Sequence, residues 1–318
     1  MPRVSVVIPT YNRAGYVSEA VASVLAQTYR DFEVIVIDDG STDNTPEVVG
    51  SYRDAHIRYF YQENRGVSAA MNTGILASTA EYIAILDSDD VLVEEALQKS
   101  VAFLDQHPEV GYCFGQSYTI DESGRPLRSS PRGPRVTFVR DGREEIAQVL
   151  MGGRSIGSMV RRSCFQEVGL YNTELPMSED WDMFIRLAKR YAVGHLAEPI
   201  YKLRFHQQQM TSQSSMKIVQ NAHTTVLESV FEDAELGPLY GHLRRKAYFS
   251  LYCLLARMAS LSEHRGAGLL YLLKALKTRP ESLCEIKGLS IWIRSTRNFI
   301  PRRPRQIIVR MLMALKLR

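Results

Sequence analysis

The chain has 318 residues with 39 Lys/Arg and 35 Asp/Glu, a net charge of +4, and 45% hydrophobic residues. This length accommodates one large core plus a smaller appended region, and the composition is typical of a soluble globular protein. The sequence argues against a membrane span, a secretory signal, a zinc ribbon and a disulfide framework, because it has no long apolar run, no leader pattern and four scattered cysteines.

Strands alternate with helices over the first hundred residues. Short apolar runs predict buried strands at Val4–Ile8, Phe32–Ile37, Ile57–Tyr61 and Tyr82–Leu86. Helical patterns separate these strands, and a further helix is expected between Leu92 and about Gln106. This alternation predicts right-handed βαβ units and a mostly parallel sheet of the α/β class.

The middle of the chain is less regular. The sequence predicts a strand at Val110–Phe114, a mobile loop or hairpin over residues 121–143, and a strand at Tyr201–Phe205. Between them, Ser178 is expected to cap a helix whose apolar face includes Trp181.

The last hundred residues are predicted to be helical. We divide the chain into a domain over residues 1–215 and a helical region over 216–318, with a helix–turn–helix at Tyr248–Pro280. Residues 286–318 contain nine Lys/Arg and no acidic residue among apolar side chains, which is typical of a basic amphipathic segment. Such a segment fits a membrane surface better than a nucleic acid, and packing on the preceding domain is the alternative.

Polar side chains follow three of the predicted strands, at Tyr11, at Asp39 and at Asp87–Asp90. Ligands bind at the carboxyl ends of strands in open α/β sheets, so we expect these residues to share one edge. Crowded carboxylates in Asp87–Asp90 suit Mg²⁺ or Mn²⁺ holding a phosphorylated substrate. The alternative is a helix cap and a solvated turn, with Asp90 as the cap.

Five segments in order resemble the family 2 glycosyltransferases with the GT-A fold. They are VSVVIPTYNR, IDDGSTDNT, ENRGVSAAMNTGI, AILDSDD and SEDWDMFIRLA, spread over about residues 3–210. The resemblance implies a nucleotide-activated sugar donor and inversion at the anomeric carbon.

The resemblance also implies a nucleotide-binding set. Tyr11 would stack on the base, and Asp39 would accept a hydrogen bond from it, most naturally from the N–H of uracil or thymine. Arg65 would bind the diphosphate. Asp87 would face the ribose or the metal, and Ser88 belongs to the same set. Tyr11 and Arg65 could instead be ordinary loop residues.

The metal and the chemistry are assigned by the same resemblance. Asp89 would ligate Mn²⁺ or Mg²⁺, and His206 is the candidate third ligand, although its basic, Gln-rich surroundings depart from the family pattern. Asp180 matches the general base of the family's Glu-Asp motif. Acidic residues are favoured in a helix's first turn anyway, and only Glu179 could serve a retaining mechanism, which nothing else supports.

The sequence therefore predicts a cytoplasmic, metal-dependent inverting glycosyltransferase that uses a nucleoside diphosphate sugar. A glycan or lipid-linked glycan is the expected acceptor, with peripheral membrane contact through residues 286–318 and no nucleic-acid partner. The alternative is a non-catalytic nucleotide-sugar-binding or scaffolding protein. A dinucleotide-dependent dehydrogenase is excluded, because no G-x-G-x-x-G follows the first strand.

Overall fold

The computed structural model describes residues 1–152, 158–209, 214–261 and 265–281. These residues belong to two compact units. The first comprises Met1–Ile146 and Arg154–His206, and the second comprises Ala147–Gly153 and Gln207–Arg318. The predicted basic segment at 286–318 lies outside the described residues.

The first unit is built on one sheet in the order β3-β2-β1-β4-β8-β6-β9-β5, with β7 paired to β9. Its strands are β1 (Val4–Thr10), β2 (Phe32–Asp38), β3 (Ile57–Tyr61), β4 (Tyr82–Ile85), β5 (Val91–Leu92), β6 (Val110–Ile120), β7 (Phe138–Arg140), β8 (Met159–Arg161) and β9 (Ala192–Arg204). Strands β3, β2, β1 and β4 are parallel, as are β6 and β9. The short β8 is antiparallel to both of its neighbours.

Helices connect the strands and pack against the sheet. They are α1 (Ala14–Leu25), α2 (Thr45–Ser51), α3 (Val67–Ala77), α4 (Ala96–Gln106), α5 (Gly142–Leu150), α6 (Arg162–Val168) and α7 (Glu179–Ala188). Every residue of β1 and β2 is buried, which explains their continuous apolar runs. At Gly74 of α3 an added Cβ would meet Val7 Cγ1 at 2.3 Å, so glycine allows α3 to lie against the sheet.

Two predicted strands are longer than the sequence indicated. Strand β6 continues from Phe114 to Ile120, and β9 begins at Ala192 rather than Tyr201. The two strands pair in parallel with register shifts, one of them beside Pro199. The sequence pattern did not predict these longer strands, because polar residues and Pro199 interrupt the apolar periodicity. The β-bulges in the pairing accommodate such residues.

The irregular middle segment adds smaller elements. Residues 121–143 form neither a plain loop nor a regular hairpin. Isolated bridges join Ile120 to Pro126 and Ser117 to Arg132, and β7 and the start of α5 follow. The expected helix after Leu92 begins only at Ala96, because Val91 and Leu92 pair with β9. These pairings depend on distant partners that local patterns do not reveal.

A buried ion-pair network joins α5 to β9. Glu145 accepts hydrogen bonds from His195 Nε2 at 3.0 Å and from Arg140 Nη1 at 2.7 Å. The His195 ring stacks on Phe138, with 4.3 Å between ring centroids. Burial alone would raise the pKa of Glu145, but the hydrogen bonds from His195 and Arg140 lower it.

The second unit is helical in its described part, as predicted. It contains α8 (Met216–Phe231), α9 (Leu236–Tyr240), a 3₁₀ turn (Gly241–Leu243), α10 (Arg244–Leu261) and α11 (Arg265–Thr278). Helices α10 and α11 correspond to the predicted helix–turn–helix. Among the described helices, none is long and apolar enough to cross a membrane.

Candidate functional site at the strand ends

Three carboxylates follow β4 within four residues. Ligand atoms of Asp87, Asp89 and Asp90 lie within 4.8 Å of one another. Asp87 is exposed, Asp89 is half-buried and Asp90 is buried. The backbone N–H of Leu86 still donates to Val7 of β1 at 2.9 Å, so the three carboxylates lie where the chain leaves the sheet.

Burial and crowding raise the pKa values of two of these carboxylates. Desolvation, then repulsion from Asp89 and Asp180, raises the pKa of Asp87 to about 7. Desolvation, then the charges of Asp87 and Asp89, raises the pKa of Asp90 well above its ordinary value. Because Asp87 remains open to solvent on one side, repulsion is the stronger physical reason for its shift. The oxygen-rich cluster fits Mg²⁺ or Mn²⁺, whose charge would relieve this repulsion.

His206 lies directly beside this cluster. Its Nε2 is 2.7 Å from Asp89 Oδ2, and its ring lies 4.7 Å from the Tyr16 ring, measured between centroids. The residue is buried, and its Nδ1 has no hydrogen-bond partner among the described residues. The position after β9 therefore brings an imidazole to the carboxylates, and imidazole together with carboxylate is a donor set that Mn²⁺ accepts.

Arg204 holds the loop that carries the carboxylates. Its backbone N–H donates to Asp90 Oδ1 at 2.7 Å, and its Nε donates to the carbonyl of Asp89 at 2.8 Å. Its Nη2 contacts Glu19 at 2.6 Å, and its Nη1 donates to the carbonyl of Glu122 at 3.0 Å. Asp90 is thus bound by a strand backbone and begins no helix, so the helix-cap alternative is wrong.

Tyr201 is a second supporting residue that the sequence did not single out. Its hydroxyl accepts from the N–H of Asp87 at 3.4 Å, and its side chain opposes the rise in the pKa of Asp90. Arg204 precedes His206 by two residues, but His206 lies beyond the end of β9, so strand alternation does not predict that the two side chains share a face. Tyr201 lies three residues before Arg204 in a regularly paired part of β9, so strand alternation does not group the two residues.

Asp39 organises the loop after β3. Its Oδ1 accepts from Gln62 Nε2 at 2.7 Å and from the backbone N–H of Arg65 at 3.0 Å. Its Oδ2 accepts from the N–H of Gly66 at 2.8 Å, and Gly66 has a φ of 88°. A carboxylate has about four acceptor positions, so one position on Oδ2 remains for a ligand.

Tyr11 stands at the end of β1 and is 47% exposed. The next residue, Asn12, has a φ of 51° and accepts from the N–H of Thr42 at 2.7 Å, while its own N–H donates to Ser41 at 2.9 Å. Asparagine tolerates this left-handed conformation. These bonds tie the loop after β1 to the loop after β2 and fix the backbone that carries the tyrosine.

Helix α7 brings two more carboxyl groups. Ser178 is the N-cap residue of the helix, as predicted, but it has a φ of 66° and its side chain makes no capping bond to α7 in the described structure. Asp180 Oδ1 accepts from the N–H of Trp181 at 2.8 Å. Its charge contributes to the raised pKa of Asp87, so α7 faces the cluster. A left-handed serine beside these carboxyl groups stores backbone strain where a functional site is expected.

Glu179 differs in environment from Asp180. One carboxyl oxygen, Oε2, is buried and has no hydrogen-bond partner among the described residues. Desolvation, then the charges of Asp180 and Asp87, raises the pKa of Glu179 to about 8. The same three carboxyl groups, together with burial, raise the pKa of the Tyr171 hydroxyl. Burial and neighbouring charges therefore favour the neutral acid at Glu179.

The structure brings together the carboxylates after β4, His206 and Asp180. Tyr11 and Asp39 lie at the ends of neighbouring parallel strands, as predicted. Arg65 contributes its backbone N–H to Asp39, while its side chain is exposed. Ser88 is buried within the carboxylate loop.

Comparison with known proteins identifies relatives over the same region. A family profile described as "Glycosyl transferase family 2" matches residues 5–169. An uncharacterized glycosyltransferase from Rickettsia conorii is 37% identical over 213 residues, which are 65% of this chain and 34% of that protein. The chain spans about a third of the length of the curated relatives that it matches first.

Solved structures share the fold at low identity. TarS 1-349 from S. aureus, crystallised with UDP-GlcNAc, gives a TM-score of 0.62 and 18% identity, covering 99% of this chain and 93% of that chain. A mannosyltransferase from Pyrobaculum calidifontis, in complex with GDP-Man and Mn²⁺, gives a TM-score of 0.59 and 17% identity, covering 99% and 87%. The predicted α/β class with a helical C-terminal region is confirmed.

Proposed function

The chain belongs to glycosyl transferase family 2 and has the GT-A fold, and we propose that it is a metal-dependent inverting glycosyltransferase. It moves a sugar from a nucleoside diphosphate sugar, with UDP-sugars favoured, to a hydroxyl of a glycan or lipid-linked glycan. The reaction serves cell-surface polysaccharide synthesis. The observation that carries this proposal is the cluster of carboxylates after β4, where the charge of Asp180 in α7 contributes to the raised pKa of Asp87.

Asp89 and His206 are the residues we assign to a divalent cation, Mn²⁺ or Mg²⁺. Support comes from the carboxylate crowding, from the contact between Asp89 and His206, and from the unpartnered Nδ1 of His206. When bound, the cation would neutralise the donor diphosphate and stabilise the charge that develops on it as it leaves. Arg204 and Tyr201 hold the backbone and side chains of this loop in place.

Asp180 is the proposed general base. In a single displacement the acceptor hydroxyl attacks the anomeric carbon opposite the leaving group, and one carboxylate must take its proton. Asp180 is exposed at the start of α7, where an acceptor can reach it. Glu179 is less suited to this role, because its raised pKa favours the neutral acid.

The nucleotide is assigned to Tyr11, Asp39, Arg65, Asp87 and Ser88. Tyr11 offers an exposed ring for stacking on the base, and the open position on Asp39 Oδ2 suits one N–H donor. Uracil presents one such N–H, whereas guanine presents an adjacent N–H and NH₂ that would use both oxygens. The solved neighbours carry UDP-GlcNAc and GDP-Man, so both nucleotides belong in the test.

The remaining assignments rest on the sequence. We propose a transferase domain over residues 1–215 and a helical region over 216–318 that ends in a basic amphipathic segment. The protein would act in the cytoplasm, with peripheral contact at the inner membrane face, where lipid-linked acceptors are available. No nucleic-acid partner is proposed.

Donor turnover tests this function. Purified full-length protein is incubated with a panel of UDP-, GDP- and dTDP-sugars, with Mn²⁺, Mg²⁺ or chelator, and nucleoside diphosphate release is measured. We expect release from one donor, UDP-linked, that requires the cation. Unchanged release in chelator would remove the metal assignment.

The second candidate function is a non-catalytic nucleotide-sugar-binding protein, favoured only by the family's fold. Binding of UDP with Mn²⁺, without transfer or hydrolysis of any donor in the panel, would support it instead. A thermal-shift measurement with each nucleoside diphosphate supplies the binding result, since a ligand that binds only the native state raises the melting temperature.

A further inference from the structure

Helix α11 has two apolar faces, and only one of them is packed. Tyr271, Leu272 and Ala275 are buried, and they follow one another along one side of the helix. On the other side, Leu269, Leu270 and Leu273 are 50%, 53% and 56% exposed. We call these three residues the leucine face. A contiguous exposed group of large apolar side chains marks an interaction surface.

The packed side is complete without the leucine face. Ala275 joins a small core with Phe249 and Cys253 of α10, and Tyr252 packs against it. The Lys274 ammonium lies 5.8 Å from the Tyr252 ring centroid, which closes the same side of the hairpin. The leucine face is therefore left for a partner outside the hairpin.

The charges around the leucine face are positive. Residues 265–278 contain no acidic residue, and Lys277 is an exposed basic residue of the helix, whereas Lys274 lies on the packed side. At the end of the helix, Arg245 Nε donates to the carbonyl of Thr278 at 3.0 Å. Glu281 is the acidic residue near this end, and it pairs with both Arg245 and Arg279. Leucines with basic residues and few acids are typical of helices that lie in a membrane interface.

The positive charge near the leucine face favours some binding partners of this face over others. Residues 286–318 carry nine Lys/Arg and no acid, so covering the leucine face with them would bring like charges together. A second copy that packed in parallel on the leucine face would juxtapose the same basic ends. An anionic lipid surface instead complements both the helix and the segment that follows it, because it attracts basic residues near the bilayer.

We propose that the leucine face of α11 docks on an anionic membrane surface, with Leu269, Leu270 and Leu273 entering the interface. The basic residues at the end of the α10–α11 hairpin lie level with the lipid headgroups. The surface belongs to the second unit, and the proposal does not depend on the transfer reaction. It assigns membrane contact to a folded helix as well as to the basic segment at 286–318.

A vesicle co-sedimentation experiment on the full-length protein tests this. The variant Leu269→Ser/Leu270→Ser/Leu273→Ser is compared with wild type and with a control, Ile218→Ser/Leu239→Ser, which removes exposed apolar residues from other helices of the same unit. Vesicles contain phosphatidylcholine alone or with 30% phosphatidylglycerol. We expect binding of wild type and control to the anionic vesicles, and at least tenfold weaker binding of the triple variant with unchanged circular dichroism.

A local probe separates the helix from the basic segment. An environment-sensitive fluorophore is placed at Leu270→Cys, and at Leu239→Cys as control, in a Cys284→Ser background. A blue shift on anionic vesicles at position 270 alone supports docking through the leucine face. Equal binding of wild type and the triple variant, or no shift at position 270, would overturn the proposal. A dimer of wild type that the triple variant loses in light scattering would assign the face to a second copy.

Discussion

His206 Nε2 and Asp89 Oδ2 lie 2.7 Å apart, although 117 positions separate the two residues in the chain. The contact joins the end of β9 to the loop after β4. Arg204, two residues earlier in the chain, donates a hydrogen bond to the carbonyl of Asp89 in the same loop. The candidate cation site therefore combines residues that follow two strands distant in the sequence. Substitutions in β9 should consequently change the positions of the carboxylates.

Replacing His206 by Asn should weaken cation binding. The substitution removes the imidazole beside Asp89, and because loss of a partner of a metal ligand already costs about 10–100-fold in affinity, loss of a ligand should cost at least as much. Mn²⁺ binding in the presence of UDP can be titrated by electron paramagnetic resonance. The control is His242→Asn, at an exposed position in the second unit. Equal Mn²⁺ affinities of wild type and His206→Asn would show that this residue is not a ligand.

Replacing Asp39 by Asn should weaken nucleotide binding. The carboxylate accepts a hydrogen bond from the N–H of Gly66 and is proposed to accept another from the base. In the asparagine variant an NH₂ group replaces one carboxylate oxygen, and this group cannot accept from either donor. A hydrogen bond to a charged group contributes about 1.5–3 kcal/mol, so UDP affinity should fall roughly tenfold or more. Calorimetric titration of UDP measures this, with the exposed Asp31→Asn as control. An unchanged dissociation constant would remove Asp39 from the nucleotide site.

Replacing Arg204 by Met should destabilise the first unit. The carbonyls of Asp89 and Glu122 would lose their buried donor. Each unsatisfied buried group costs about 1–3 kcal/mol, so the free energy of unfolding should fall by about 3 kcal/mol. Urea denaturation checks this against Arg128→Met, which removes an exposed arginine. If both variants unfold at the same urea concentration, the hydrogen bonds from Arg204 to this loop contribute little to the free energy of unfolding.

Glu145 should make stability depend on pH. Its pKa in the folded protein lies below the ordinary value of 4.5, because His195 and Arg140 bond to the ionised form. A carboxyl group whose pKa is lower in the folded than in the unfolded protein stabilises the native state at pH values above its unfolded pKa. This stabilisation is lost as the pH falls through the pKa of the folded protein. Wild type should therefore exceed Glu145→Gln in stability near neutral pH, and the difference should shrink below about pH 4.5.

Thermal unfolding between pH 3 and pH 7 measures this difference. The control is Glu144→Gln, whose carboxyl group is exposed in the same helical turn. A difference between wild type and Glu145→Gln that stays constant across this range would contradict the account.

Much of the first unit could be predicted because its signals are local. The strands β1 to β4 are short apolar runs between amphipathic helices, and Tyr11, Asp39 and Asp87 follow three of them. A parallel sheet brings the ends of such strands to one edge, so their proximity follows from the pattern.

Other features depend on contacts that the sequence does not display. The lengths of β6 and β9 follow from pairing across bulges, where Pro199 and polar residues obscure the period. Ser178 precedes α7 as predicted, but its left-handed backbone and the missing side-chain capping bond do not follow from its residue type. Arg204 and Tyr201 reach the carboxylates only through the fold, and their residue types alone suggest ordinary strand positions.

The transfer rate of Asp180→Asn, measured with saturating donor and cation, shows most directly whether Asp180 is the general base. We expect a rate lower by about 10²–10⁴-fold, because the proposed base is lost, with donor affinity retained. Glu174→Gln, an exposed carboxyl group shortly before α7, should transfer at the wild-type rate. Wild-type turnover by Asp180→Asn would contradict the assignment of the base and, with it, the proposed reaction at this cleft.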